Sequence, residues 1–386
     1  MKNINIFKPY IDTNEVKSVV SVIKSGWLTN GKKTIEFENE IKKLIKCKHA
    51  FAVNSCTSGI NTALHAMELK KGDEVLTSSM TFVSTINNLY LYGLKIKLID
   101  INIKDYNIDV TKLIKNITKK TKLILITHYG GSPVDMRKIY TVCKMRKIKL
   151  IEDCATAFGA KIKNNYVGSF NHSISVFSFY ANKIITTGEG GAITTNNSIY
   201  AKKIKNLINC GINKDPWNRE KIKMNYQYDV LFPGFKYNFT DLQAAIGICQ
   251  IKKLKKIIAK RKKVKNFYKK KLNILIKKNL IKFLETNKSA SSSEYIFTIL
   301  LNPKKLKISR DDLIIMLKKY GVTTSVHYIP SNKLSFYENK FKKFKLPITN
   351  YVFSNIVSLP FHYDLKEKEV SFICKKITEY LQKNIK

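Results

Sequence analysis

Acidic residues are scarce in this chain. Its 386 residues carry 28 Asp and Glu against 70 Lys and Arg, a formal net charge of +42. Such an excess raises nucleic-acid binding as a first hypothesis. Arginine, however, is also scarce, at five of the 70 basic residues. Base readout and phosphate clamping favour the guanidinium fork over the ammonium group. The lysines run through the whole chain beside abundant Ile and Asn, which reads as a composition bias of the coding DNA. Nucleic acid is therefore not an expected partner, whereas the positive field suits an anionic small substrate.

Other absences narrow the class further. The seven cysteines (Cys47, Cys56, Cys143, Cys154, Cys210, Cys249 and Cys374) are odd in number, scattered, and never spaced CxxC. Neither a disulfide framework nor a zinc site is indicated, and no metal is expected. No stretch approaches ~18 consecutive apolar residues, so no transmembrane helix and no membrane partner are expected. The opening MKNINIFKPYIDTNE lacks the apolar core of a signal peptide. The expectation is a soluble cytoplasmic protein.

What is present is a two-domain pattern. The length suits two domains, and 44% hydrophobic residues supply a sizeable core. Between residues 50 and 200, β-rich runs alternate with helical ones. The candidate strands are AFAVN (50–54), DEVLTS (73–78), IKLIDI (96–101), KLILITHY (122–129), IKLIEDC (148–154), SISVFSF (173–179) and GAITTN (191–196). Several are apolar throughout, as strands buried on both faces should be. TSGINTALHAMEL (57–69) reads as a helix with Gly72 as its C-cap. The alternation predicts an α/β domain with a mostly parallel, seven-stranded sheet. From FTDLQAAIG onward one long helix is expected, with Thr240 and Gln243 at capping-box spacing and an apolar stripe from Leu254 to Leu272. A Ser-rich loop (289–293) follows. The strand YIFTILL, the helix SRDDLIIMLKKYG, the strand VTTSVHYI (322–329) and a helix near 366–382 complete a smaller α+β domain. The predicted units are residues 1–249 and 250–386.

Ligands of open α/β sheets bind at the carboxyl ends of strands. One such end runs into Ser55-Cys56-Thr57-Ser58-Gly59. There Thr57 or Ser58 could cap a helix, and the helix start could hold a phosphate. A plain N-cap explains the same residues. A second end carries Glu152-Asp153, where an acid could meet a metal, a ribose, a ring nitrogen or a lysine. A third end carries Ser178 and then FYANKIITTGEGG, with Lys183 just beyond the strand. These glycines form neither GxGxxG nor a Walker pattern, which argues against a nucleotide-cradling loop. Most of the lysines are solvated surface charge. A lysine held beside an acid and a phosphate site, however, has the three parts that pyridoxal 5′-phosphate (PLP) requires. These are an amine for a Schiff base, a carboxylate against the pyridine nitrogen, and donors for the phosphate.

The segments SGWLTNGKKTIEFE, VNSCTSGINTALHA, GDEVLTSSMTFVSTIN, HYGGSPVDM, IEDCATAFGA, VFSFYANKIITTGEGGAITT, PGFKYNFTDLQAAIG and TSVHYIP occur in this order. Together they resemble the DegT/StrS-type sugar aminotransferases from about residue 5 to the C-terminus. The resemblance implies fold-type I, the aspartate-aminotransferase fold, and PLP as cofactor. It implies that Lys183 forms the Schiff base and that Asp153 faces the pyridine nitrogen. Thr57, Ser58 and Ser178 would bind the phosphate. Phe82 and Ala155 would lie on the two faces of the ring. Asn238 would reach the cofactor phosphate of the partner subunit, which makes the enzyme a homodimer with shared active sites. His327 and Tyr328 would lie near the sugar nucleotide.

Three positions depart from the family pattern. Thr156 stands where many members have His or Gln near the cofactor's phenolic oxygen, and its hydroxyl could still donate there. Cys56 replaces a frequent Gly, and Asn332 a frequent second His. The implied reaction moves an amino group from L-glutamate to a keto-sugar nucleotide. The segment DPWNRE…YDVLFPGFKYNFTD most resembles members acting at C4 of UDP-linked keto sugars that feed lipopolysaccharide, capsule or glycoprotein glycans. Two alternatives stand beside it. Family dehydratases replace the Schiff-base lysine with histidine, unlike Lys183, and a non-enzymatic regulator would not need the Lys183/Asp153 pair.

Overall fold

The computed structural model describes residues 3–213, 227–287 and 289–386. A seven-stranded sheet forms its centre. Its strands are β1 (His49–Val53), β2 (Glu74–Ser78), β3 (Lys95–Ile99), β4 (Thr121–Thr127), β5 (Lys149–Asp153), β8 (Ile174–Ser178) and β9 (Gly191–Thr195), in the order β1-β9-β8-β5-β4-β2-β3. β9 alone runs against the other six. A short hairpin, β6 (Lys161–Ile162) with β7 (Asn165–Tyr166), is joined by β11 (Ala290–Ser291). The Ser-rich segment thus supplies an edge strand rather than a free loop. A second sheet sets β12 (Phe297–Leu301) between β10 (Ile281–Phe283) and β13 (Ile356–Leu359).

The apolar runs of the central strands follow from burial on both faces. In β4, Leu123 and Leu125 enter one apolar cluster while Ile124 and Ile126 enter another, all four fully buried. Alternating side chains point to opposite faces, so a strand covered by helices on both sides must be apolar at every position. A third cluster gathers Ile299, Leu301, Val357 and Leu359 of the second sheet with Ile373 and Ile377 of the C-terminal helix Glu367–Lys383. The long helix Asp241–Lys271 contributes Leu254 and Ile257 to a cluster of the central sheet, and Val264 and Tyr268 to the third. Its capping box is formed by Thr240 and Gln243, as their spacing predicts.

Two buried carboxylates join distant helix ends. Asp241 Oδ1 accepts from the amides of Gly31 and Thr34 and from the Thr34 hydroxyl, at 2.8–2.9 Å, and Oδ2 accepts from the Lys33 amide at 3.0 Å. It thereby caps the helix Lys32–Ile45, whose own N-cap residue, Gly31, has no side chain. Asp100 likewise accepts from the amides of Ile348 and Thr349 at the start of the helix Pro347–Asn355.

Two predicted elements differ. Residues 322–329 form no strand; only Val322 and Ser325 make isolated bridges, to Ile4 and Ser358. The β-branched residues favour extended backbone, but the segment is spent lining a cavity instead of pairing. The helix expected over 57–69 spans Cys56–Ala66 and is capped by Met67, with Glu68 at φ 50°. Gly72, at φ 90°, belongs to the next turn, where its amide donates to Gly93 O.

Candidate active site

The carboxyl ends of β1, β4, β5 and β8 open on one cavity of about 580 Å³. Lys183 and Asp153 both line it. Asp153 ends β5 and is 3% exposed. Its Oδ1 accepts from the Ala155 amide at 3.0 Å and its Oδ2 from the Thr85 hydroxyl at 2.8 Å. Lys183 lies in the loop between β8 and β9, half-buried. That loop is tied to itself: the amides of Phe179 and Thr187 donate to Gly190 O and Phe179 O, and Lys183 N donates to Tyr180 O. The lysine ammonium lies 4.8 Å from the centre of the Tyr295 ring, within cation–π range.

At the β1 end the chain turns directly into the helix Cys56–Ala66. Ser55 is its N-cap, accepting from Ser58 N at 3.0 Å. The cap is thus neither Thr57 nor Ser58. Thr57 is exposed at the cavity, whereas Ser58 does not line it: its hydroxyl donates to Asn54 Oδ1 and contacts Ser55 Oγ at 2.5 Å. The first-turn amides of Cys56 and Thr57 precede the intrahelical ladder and suit an anion. Gly191 allows this turn to pack on β9. A Cβ there would lie 2.7 Å from Cys56 N, from Phe177 O and from the Ser55 carbonyl carbon.

Phe82, Ala155, Thr156, Ser178, His327 and Tyr328 line the same cavity. Phe82 is 58% exposed, with its ring edge toward Tyr328 at 6.2 Å. The Thr156 hydroxyl donates to His128 O at 2.8 Å and accepts from Gly131 N at 3.1 Å. Its proton is therefore committed to the backbone, not offered to a ligand as the sequence suggests. His327 is buried, with Nδ1 2.8 Å from Ser358 Oγ. Burial, with Lys183 adding to it, lowers its pKa to about 4. Burial, with Tyr295 and Tyr129 nearby, raises the Tyr328 pKa well above its ordinary value. Burial chiefly, with Asp153 adding and Lys183 opposing, does the same for the Cys56 thiol. Asn332, the other departure, accepts from Ser79 Oγ at 2.6 Å.

Asn238 is elsewhere. It lines a separate cavity with Asn30, Thr34 and His49. Its Oδ1 is buried without a partner among the described residues, and Thr240 takes the N-cap of the following helix. The segment DPWNRE (215–220) lies outside the described residues.

Several site residues escaped the sequence reading. Tyr295 comes from the segment before β12, while Thr81, Thr85 and Thr127 come from three separate elements. Behind Asp153, Glu152 is fully buried on the other face of β5. It accepts from Tyr140 at 3.0 Å, from Ser173 and Ser175, and from His128 Nε2 at 3.0 Å. His128 Nδ1 accepts from Val134 N, which places the ring proton on Nε2. Cys154 brings a third possible metal-ligand atom within 4.8 Å of these two groups, but protein donors already occupy the carboxylate.

The donor set fits PLP: a lysine amine, an ionisable carboxylate braced by two donors, a helix start and the Ser178 hydroxyl share one cavity. Residues 9–378 match the model of the DegT/DnrJ/EryC1/StrS aminotransferase family. The chain is 36% identical over 380 residues to the uncharacterized protein MJ1066 of Methanocaldococcus jannaschii, covering 98% of this chain and 97% of that one. It is 33% identical over 385 residues to the spore coat polysaccharide biosynthesis protein SpsC of Bacillus subtilis, covering 98% of each. Among solved structures it resembles Helicobacter pylori PseC, an aminotransferase involved in the biosynthesis of pseudoaminic acid. The TM-score is 0.91 at 28% identity, over 99% of this chain and 100% of that one. It also resembles the putative sugar aminotransferase Spr1654 of Streptococcus pneumoniae, solved in both PLP and PMP forms. For the PMP form the TM-score is 0.90 at 26% identity, over 99% and 100%. The chain belongs to the DegT/DnrJ/EryC1/StrS aminotransferase family and is a PLP-dependent sugar aminotransferase of fold-type I.

Proposed function

We propose that this enzyme moves an amino group from L-glutamate to a keto-sugar nucleotide, at C4 of a UDP-4-keto-6-deoxy sugar, for surface glycan biosynthesis. The observation that carries the reading is the joint presence of Lys183 and Asp153 in one cavity lined by Phe82, Tyr295 and Tyr328. The names of the relatives add support, since SpsC serves a coat polysaccharide and PseC serves pseudoaminic acid. The DPWNRE…FPGFKYNFTD sequence supports UDP and C4.

PLP, when bound, supplies an aldehyde that carries the amino group and a ring that accepts electrons. In this reading Lys183 holds the cofactor and moves the proton between carbon centres. Asp153 keeps the pyridine nitrogen protonated. Ser178, Thr57 and the helix start at Cys56 hold the phosphate, with Ser58 bracing that turn from behind. Phe82 and Ala155 flank the ring. His327, uncharged above a pKa of about 4, and Tyr328, held protonated, contact the sugar nucleotide without placing a fixed charge beside it.

The enzyme acts as a homodimer in this reading, and Asn238 completes the partner's site. Support comes from its Oδ1, unpartnered among the described residues, and from its position outside its own chain's Lys183 cavity. An exposed apolar stripe on the helix Thr13–Ser25 (Val16, Val20 and Ile23, 42–59% exposed) also asks for cover. With the fold goes a proposed division into residues 1–249, which bind the cofactor, and 250–386.

The test is a screen of keto-sugar nucleotides with glutamate. A 4-amino sugar and 2-oxoglutarate should form in equal amounts from a UDP-4-keto-6-deoxy sugar. Turnover only with thymidine-linked substrates, or at C3, would replace the proposed substrate.

A further inference from the structure

Adjacent strands bring three hydroxyls together beside Asp153, in the wall of the same cavity. Thr81 follows β2, Thr127 ends β4, and Thr85 lies in the first turn of the helix Val83–Leu91. β4 lies between β2 and β5 in the sheet, so the carboxyl ends of these strands are neighbours. Thr127 Oγ1 donates to Thr81 Oγ1 at 3.0 Å, Thr81 Oγ1 to Thr85 Oγ1 at 3.3 Å, and Thr85 Oγ1 to Asp153 Oδ2 at 2.8 Å. Thr81 and Thr85 are each 1% exposed, Thr127 8%.

The direction of this chain is forced from one end. An ionised carboxylate only accepts, so Thr85 must donate to it. The Thr85 oxygen is then free to accept from Thr81, and Thr81 from Thr127. Three O–H dipoles point the same way and end on one carboxylate oxygen. A chain of aligned donors strengthens each of its links. The other oxygen is fixed by the Ala155 amide.

We infer that Thr85, backed by Thr81 and Thr127, is a positioning residue that holds the Asp153 carboxylate turned toward the cofactor nitrogen. The inference rests on Asp153 serving that nitrogen. A mere packing role for these threonines would require their methyl groups but not their hydroxyls.

The test uses the full-length, PLP-loaded enzyme with nitrogen-15 in the cofactor ring, whose NMR shift reports the protonation of that nitrogen. Asp153→Asn should move the shift toward the unprotonated value. Thr85→Val, which keeps the shape and removes the hydroxyl, should move it in the same direction and slow the glutamate half-reaction about tenfold. Thr85→Ser, which restores the hydroxyl, should return the shift to the wild-type value. If Thr85→Val fails to fold or load, Thr81→Val carries the test and should give a smaller move of the same sign. An unmoved shift in the folded valine variant, or a serine variant as shifted as the valine one, overturns the inference alone. An unmoved shift in Asp153→Asn overturns the role of Asp153 with it.

Discussion

The ammonium of Lys183 stands 4.8 Å from the centre of the Tyr295 ring. Lys183 comes from the β8–β9 loop, Tyr295 from the segment before β12, so the contact ties the reactive amine to the C-terminal part of the chain. Tyr295 is itself held by Phe7, stacked at 5.7 Å, and by the backbone oxygens of Glu294 and Tyr295, which accept from buried Arg261. Tyr295→Leu should release the amine from this ring. A desolvated cation–π contact contributes roughly 1–2 kcal/mol, so single-turnover rates should fall about 5- to 30-fold. Tyr295→Phe keeps the ring and loses the hydroxyl bonds to Asn182, at 3.3 Å, and to Tyr328, and should stay within a few-fold of wild type.

Asp153→Asn keeps the hydrogen-bonding shape but removes the charge. Both half-reactions should slow by several orders of magnitude while PLP still binds. Near-normal turnover in rapid-quench assays would remove Asp153 from its proposed role.

Complementation tests the shared site. Lys183→Ala alone should be inactive, and Asn238→Asp alone nearly so at limiting PLP, because it sets a carboxylate against the phosphate. After subunit exchange, each heterodimer should hold one site with both defects and one with neither. Activity should return to about a quarter of wild type for random pairing of a two-fold dimer. No recovery, with exchange verified, places Asn238 in its own chain's business only.

Acid should destabilise the fold above pH 4. His327 and His362 are both buried with pKa values near 4, lowered chiefly by burial and further by Lys183 and Arg261 respectively. The unfolded chain takes up protons on these rings below the ordinary value of 6.5, while the folded chain refuses them. Stability is therefore complete above pH 6.5 and is lost as pH falls toward 4, on the order of 3 kcal/mol per histidine. Urea titrations between pH 7 and 4.5 should show the loss, and His362→Asn should remove about half of it.

Asp241→Ala should destabilise the fold. Three amides and the Thr34 hydroxyl would lose their acceptor at a buried helix start. The expected cost is about 2 kcal/mol or more, read as a lower urea midpoint at unchanged slope.

The sequence was most legible where one physical demand acts alone. Strands covered on both faces are largely apolar, so the inner strands could be read from runs such as KLILIT, and the others from their alternation with helical stretches. Asp153 stood out because it ends a strand, and Lys183 because it lies in the loop just beyond one. The N-cap was not legible, because Ser55, Cys56, Thr57 and Ser58 offer several candidate caps in a row and only the exit geometry of β1 selects Ser55. Thr85 and Tyr295 were invisible for another reason. Their importance lies in partners 68 and 112 positions away, and nothing local marks such a meeting. Residues 322–329 misled because their β-branched side chains favour extended backbone, whether or not a neighbouring strand is there to pair with.

The identity of the cofactor lysine can be read directly. The full-length enzyme is loaded with PLP, reduced with borohydride, digested and mapped by mass spectrometry. The cofactor mass should lie on Lys183 alone among the 65 lysines, and Lys183→Ala should abolish both the label and the yellow absorbance. A label on any other lysine, or none in a protein that still binds PLP, would contradict the site described above.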